Sequence, residues 1–134
     1  MPHISVIIPV YNAGNYIVDT LNSVLQQTLK DIEVIVVNDG SNDQSLAECY
    51  RLQEIDKRII IINQDNQGVS KARNVGKQNA TGDYIIFIDA DDELDCRMLE
   101  ILYTQARKTD SDISVCGVDK IFEKKQEEKK QYHC

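Results

Sequence analysis

The chain has 134 residues, 42% of them hydrophobic, with 15 Lys and Arg against 22 Asp and Glu, for a net charge of -7. That describes one domain of common size with enough apolar residues for a core. So acidic a surface repels a phosphate backbone, which excludes nucleic acid as a partner; a phosphorylated ligand must be met by a cation, helix N-termini or a few placed basic groups.

His3 to Val10 (HISVIIPV) reads as a strand, and its near-continuous apolarity predicts burial on both faces. Tyr11 to Asn15 is a turn. A helix is predicted over Tyr16 to Leu29, with Ile17, Leu21, Val24 and Leu25 on one face. Ile32 to Asn38 is a second buried strand. Asp39-Gly40-Ser41 turns the chain, and Ser41 with Gln44 three residues later spells a capping box. The next helix sets Leu46, Cys49, Tyr50 and Gln53 to one side. Arg58 to Ile62 is a third strand and Asn63 to Gly68 a polar loop. A helix over Val69 to Asn79 carries Val69, Ala72, Val75 and Gly76 on one face, small enough to pack close to a sheet. Tyr84 to Ile88 reads as a buried fourth strand. Arg97 to Lys108 is a helix with Leu99, Leu102, Tyr103 and Ala106 inward. Ile113 to Val118 is a fifth strand. Lys124 to Lys130 (KKQEEKK) is a charge run of the kind found at a solvated helix end or in a disordered tail.

Strands alternating with helices predict an α/β fold: a mostly parallel sheet with right-handed crossovers and helices on both faces. No repeat, linker or second domain is evident. In such sheets ligands bind beyond the strand C-terminal ends. Three polar clusters fall there: Tyr11-Asn12, Asp39-Gly40-Ser41 and Asp89-Ala90-Asp91.

The third cluster is the most concentrated. Four of the five residues from Asp89 to Glu93 are acidic. Like charges this close repel one another unless something positive sits between them, and the simplest candidate is a divalent cation with oxygen ligands. The alternative is that Asp91 or Asp92 caps the helix that follows. The four cysteines (Cys49, Cys96, Cys116, Cys134) and the two histidines (His3, His133) show no zinc-binding spacing, as in a reduced cytosolic protein. Cys49 and Cys116 read as small core residues. The run Ile4 to Val10 is too short for a membrane span and lacks the flanks of a signal peptide.

Four ordered stretches resemble the nucleotide-sugar half of an inverting family 2 glycosyltransferase with the GT-A fold. They are Val6-Ile7-Ile8-Pro9-Val10-Tyr11-Asn12, Val36-Val37-Asn38-Asp39-Gly40-Ser41, the stretch from Gly68 to Gly76 (GVSKARNVG), and the stretch from Ala80 to Asp92 (ATGDYIIFIDADD). The resemblance covers about residues 3 to 118. It implies a Rossmann-like donor-binding domain over residues 1–118, and then a charged tail over 119–134 that either starts a missing acceptor half or is disordered.

By this resemblance Pro9, Tyr11 and Asn12 form the first nucleotide-binding turn, where Tyr11 either stacks on the base or packs on the first helix. Asp39 matches the nucleobase contact, and a carboxylate suits the ring N–H of uracil; its alternative role is as a turn residue. Arg73 suits diphosphate oxygens. Asp89 and Asp91 match a D-x-D, with Ala90 between them. Asp91 would hold Mn²⁺ or Mg²⁺, and Asp89 would touch ribose or sugar hydroxyls. Asp92 would assist through water or cap the next helix.

The implied activity is metal-dependent transfer of a sugar from a nucleotide diphosphate, UDP in the first instance, to a saccharide or lipid-linked acceptor, with inversion, as in polysaccharide biosynthesis. The implied location is cytoplasmic, or the inner face of the membrane. The family's second half supplies the acceptor site and the general base. Asp119, expected to follow a strand, is the best local candidate for that base but sits in no recognisable motif. The competing reading is a non-catalytic nucleotide-sugar module or a truncated fragment. An incomplete sheet edge favours a homodimer. A receiver or dehalogenase-like phosphatase would need its acidic residues after the first strand, where this chain has Pro9-Val10-Tyr11-Asn12.

Overall fold

The computed structural model describes residues 2–109, 117–122 and 128–133. The described elements run β1 (Ile4–Val10), α1 (Ile17–Leu25), β2 (Ile32–Asp39), α2 (Ser45–Ile55), β3 (Ile59–Gln64), α3 (Val69–Asn79), β4 (Tyr84–Phe87), β5 (Asp92–Leu94), α4 (Met98–Thr109), β6 (Gly117–Phe122) and β7 (Glu128–His133). Strands β1 to β4 form a parallel sheet in the order β3-β2-β1-β4. A second sheet has the order β5-β7-β6, with β7 parallel to β5 and antiparallel to β6.

β1 and β2 are buried throughout, as their largely apolar runs predict. Alternate residues feed two cores. Ile4, Val6, Ile8 and Val10 pack with α1, α2 and α4 through Ile17, Leu21, Cys49, Leu52 and Leu99. Ile7, Ile35 and Val37 face the other way, against Ala72 of α3. The sheet therefore carries helices on both faces. The small face of α3 is functional in packing terms: Gly76 lies so close to β1 that an added Cβ would collide with the Ile7 side chain.

A buried carboxylate anchors the edge of the sheet where β1 and β2 begin. Glu33 accepts hydrogen bonds from Ser5 Oγ (2.9 Å), the Thr81 N–H (2.9 Å) and Thr81 Oγ1 (2.7 Å), and Ser5 Oγ in turn accepts from the Gly82 N–H at 2.8 Å. These bonds tie the α3–β4 connection to β1 and β2 and satisfy a charge that would otherwise be costly to bury.

Several sequence expectations are corrected. α1 stops at Leu25, four residues early, because Thr28 N–H donates to the Cys96 carbonyl instead of continuing the helix. The capping box does not form: Ser41 Oγ accepts from the Asn12 N–H, and α2 starts at Ser45, whose N–H is held by Asp43 Oδ1 at 2.9 Å. Tyr50 is outward, 43% exposed, and its hydroxyl accepts from Asn63 Nδ2. Val69 is likewise half exposed.

β4 is not a buried strand. Among the described residues it borders only β1, while α3 covers β1 and β2, so Ile85 and Phe87 are left 39% and 43% exposed. Glu128 to Lys130 begins a strand, not a helix end or tail, and Asp119 lies within β6, not after a strand. Cys116, Cys134 and residues 113–116 of the expected fifth strand lie outside the described residues.

Candidate functional site

The C-terminal ends of β1 and β2 and the start of α3 enclose a hollow of about 320 Å³ lined by Pro9, Tyr11, Asp39, Gly68 and Val69. Tyr11 offers its ring to this hollow and is 51% exposed.

Asp39 is buried at its base. Its Oδ1 accepts from Gln64 Nε2 (2.9 Å) and the Gln67 N–H (2.8 Å), and its Oδ2 accepts from the Gly68 N–H at 3.0 Å. Burial pushes the Asp39 carboxyl up, but the bonds from Gln64, Gln67 and Gly68 outweigh it and hold the group below the usual aspartate value. One carboxylate thus fixes the whole 64–68 loop against β2. Gly68 is suited to its place in that loop, with φ at +99° in the region L side chains avoid. Oδ2 accepts one of these bonds, and a carboxylate oxygen can accept two.

Asn12 has φ of 49° and a side chain turned to the protein: its Oδ1 accepts from the Asn42 N–H at 2.9 Å. With the Asn12 N–H on Ser41 Oγ (3.0 Å), this joins the turn after β1 to the turn after β2.

Val69 and Arg73 sit one turn apart on α3, at positions that share a helix face. Val69 lines the hollow, and Arg73 reaches the acidic stretch, with Nη2 3.2 Å from Asp89 Oδ1. Arg73 Nε is buried with no hydrogen-bond partner in the protein.

The acidic stretch is a turn closed on itself. The Asp92 N–H donates to the Asp89 carbonyl (3.0 Å) and the Asp89 N–H to Asp92 Oδ2 (3.3 Å). Asp92 is fully buried, Asp91 exposed and Asp89 between the two. Each of the three offers a carboxylate oxygen within 4.8 Å of the others. Opposite ligands of a hard cation lie about 4–5 Å apart, twice a bond of about 2.0–2.6 Å, so the donor set fits a divalent ion with oxygen ligands. Asp91 and Asp92 lie well before α4, and the turn that leads into it is closed by Asp95, with Oδ1 accepting from the Arg97 N–H at 2.9 Å.

Sequence reasoning missed the polar side chains of α1 and of its exit that hold this stretch. Thr20 Oγ1 donates to the Ala90 carbonyl (2.7 Å), Ser23 Oγ accepts from the Leu94 N–H (3.1 Å), and Gln27 Nε2 donates to the Asp95 carbonyl at 2.7 Å. The available signal was a Thr and a Gln, both fully buried in the structure, placed among the apolar residues of the predicted helix.

The site thus combines a hollow across two strand ends of an α/β domain with a carboxylate turn beyond a third. The chain belongs to glycosyl transferase family 2, whose model matches residues 5–133. It is 46% identical over 112 residues to glycosyltransferase GlyA of Streptococcus pneumoniae, covering 84% of this chain and 16% of that one. It is 44% identical over 119 residues to the uncharacterized glycosyltransferase EpsJ of Bacillus subtilis, covering 87% and 34%.

The fold matches S. aureus TarS in complex with UDP-GlcNAc at a TM-score of 0.72 and 31% identity, over 79% of this chain and 31% of that one. It also matches the mannosyltransferase PcManGT of Pyrobaculum calidifontis in complex with GDP-Man and Mn²⁺ (TM-score 0.72, 25% identity, 91% and 36% coverage). The architecture is thus the Rossmann-like GT-A fold, and the chain spans well under half the length of each of these relatives. Among the described residues, no helix is long and apolar enough to cross a membrane.

Proposed function

We propose that this chain is the donor-binding part of a metal-dependent glycosyltransferase that takes a UDP-sugar and passes the sugar, with inversion, to a hydroxyl of a saccharide or lipid-linked acceptor. The observation that carries this reading is the helix face of α3, which links a hollow at Val69 to a carboxylate turn through the Arg73–Asp89 pair. TarS bound to UDP-GlcNAc and the mannosyltransferase bound to GDP-Man and Mn²⁺ support it as structural relatives.

In this reading Pro9 and Tyr11 wall the base site, and Tyr11 stacks on the ring. Asp39 Oδ2 uses its remaining lone pair for the uracil N–H. Asn12 serves that site from behind, by holding the Ser41 turn. Arg73 turns its guanidinium to the diphosphate. Asp91 and its neighbours hold Mn²⁺ or Mg²⁺, and Asp89 with the Ala90 backbone borders the ribose and sugar. The bound cation supplies Lewis-acid chemistry and offsets charge on the departing nucleoside diphosphate. The general base is assigned to no residue of this chain.

Calorimetry with UDP, with and without Mn²⁺, tests the donor half: binding that requires or is strengthened by Mn²⁺ is expected, and no binding in either condition would sink the reading. Turnover of a labelled UDP-sugar panel with candidate acceptors then separates a transferase from a module that binds without transfer. Self-association through β4, which among the described residues borders only β1, is proposed alongside, since Ile85 and Phe87 are exposed on it; a monomer at all concentrations in sedimentation would refute that part.

A further inference from the structure

We infer that Thr20 of α1 is a positioning residue for the cation-binding turn: its hydroxyl sets the backbone between Asp89 and Asp91, so cation affinity depends on a helix that contributes no ligand.

The inference rests on the proposal that this turn binds a divalent ion. Ala90 stands between two of the three candidate ligands, and its carbonyl is held by Thr20 Oγ1 at 2.7 Å in a fully buried contact. The same helix grips the chain again further on. Ser23 Oγ accepts from the Leu94 N–H and donates to the Thr20 carbonyl at 2.8 Å. Gln27, also fully buried, donates from Nε2 to Asp95 and accepts at Oε1 from the Leu99 N–H at 3.0 Å. The Thr28 N–H donates to the Cys96 carbonyl at 2.8 Å.

These four side chains and backbone groups belong to α1 and its exit, and each has a partner between Ala90 and Leu99. The stretch from 90 to 99 is therefore registered against α1 point by point. Within it, the Thr20 contact falls inside the ligand triplet. A divalent ion demands that its carboxylates arrive together, and the partners that orient ligands from behind set affinity nearly as much as the ligands do. An exposed side chain such as Asp91 has few contacts of its own to fix it, so its approach is governed by the backbone that Thr20 holds.

The experiment measures Mn²⁺ affinity of the full chain by electron paramagnetic resonance, with and without UDP, alongside urea unfolding. Thr20→Val keeps the shape and removes the donor; it is expected to weaken Mn²⁺ binding by about 10- to 100-fold. Thr20→Ser restores the hydroxyl and is expected to restore affinity to near that of the unsubstituted chain. Thr81→Val, which breaks the Glu33 network at the other end of the sheet, controls for general destabilisation and is expected to leave Mn²⁺ affinity unchanged.

Unchanged affinity in Thr20→Val overturns this inference alone, as does an equal loss in Thr81→Val. Should Thr20→Val fail to fold, Thr20→Ala takes its place, and unchanged Mn²⁺ affinity there overturns the inference in the same way. Absence of Mn²⁺ binding by the unsubstituted chain overturns the cation site itself, and the role of Thr20 with it.

Discussion

Arg73 and Asp89 form an ion pair, Nη2 to Oδ1 at 3.2 Å, with both side chains about two-fifths exposed. Arg73 is thus the counter-charge of the carboxylate turn and, in the proposed function, the hand that takes the diphosphate. These two jobs compete for one guanidinium. Arg73→Gln is expected to tighten Mn²⁺ alone by up to about fivefold, the equivalent of about 1 kcal/mol for a half-exposed pair. The same change is expected to weaken UDP by about 10- to 100-fold, as loss of a charged hydrogen bond does. Paired titrations of metal alone and of UDP with metal check the opposite signs; two shifts of the same sign contradict the shared role.

Asp91 is exposed, so its removal costs the fold little. Asp91→Ala is expected to abolish the Mn²⁺-dependent part of UDP binding while changing unfolding free energy by no more than about 0.5 kcal/mol. Calorimetry and urea denaturation on the same preparation measure both. Unaltered UDP affinity in the presence of Mn²⁺ would count against the whole assignment of the turn.

Asp39 predicts a pH effect. Its folded-state value is lowered, because the bonds from Gln64, Gln67 and Gly68 overcome the cost of burial. A lowered carboxylate stabilises the fold above its unfolded value of about 3.9, and that contribution is lost as pH falls through the folded value. Asp39→Asn sets an amide N–H₂ against donors and is expected to cost about 1–3 kcal/mol at pH 7. The loss should shrink at pH 3. Denaturation curves at the two pH values check this, and amide exchange at Gln67 and Gly68 shows whether the loop is what loosens.

Gly76→Ala is expected to destabilise the fold by about 1–3 kcal/mol, the usual cost of forcing extra volume into a packed site. The added methyl meets Ile7 on a strand buried on both faces, with little room to yield. A midpoint in urea equal to that of the unsubstituted chain would show that α3 can shift outward.

Much of this was legible in the residues. The near-continuous apolar run of β1 announced double-sided burial, and the small face of α3 announced its close approach. Asp39 and the stretch from Asp89 to Asp91 fall at or just past strand C-terminal ends, as read from the sequence, while Arg73 lies one turn into α3. What was illegible depended on neighbours remote in the chain. Tyr84 to Phe87 is as apolar as a central strand, and only the sheet order reveals that, among the described residues, β4 borders β1 alone. Ser41 had the right spacing for a cap, but Asn12, on another strand end, claimed its hydroxyl. Thr20 and Gln27 bond partners about 70 residues away, a distance no local period reports.

Glu33, Ser5 and Thr81 lock one edge of the central sheet, while the turns after β1 and β2 and the 64–68 loop stand at the other. For protein engineering this is a separation of frame from tooling. Loops at the open edge can be exchanged to alter what is recognised, since they are not part of the clasp that keeps the strands in register. The exception is the 64–68 loop: a graft there must bring along a Gln64 equivalent and two free backbone N–H groups for Asp39, or the transplanted segment will arrive without its anchor.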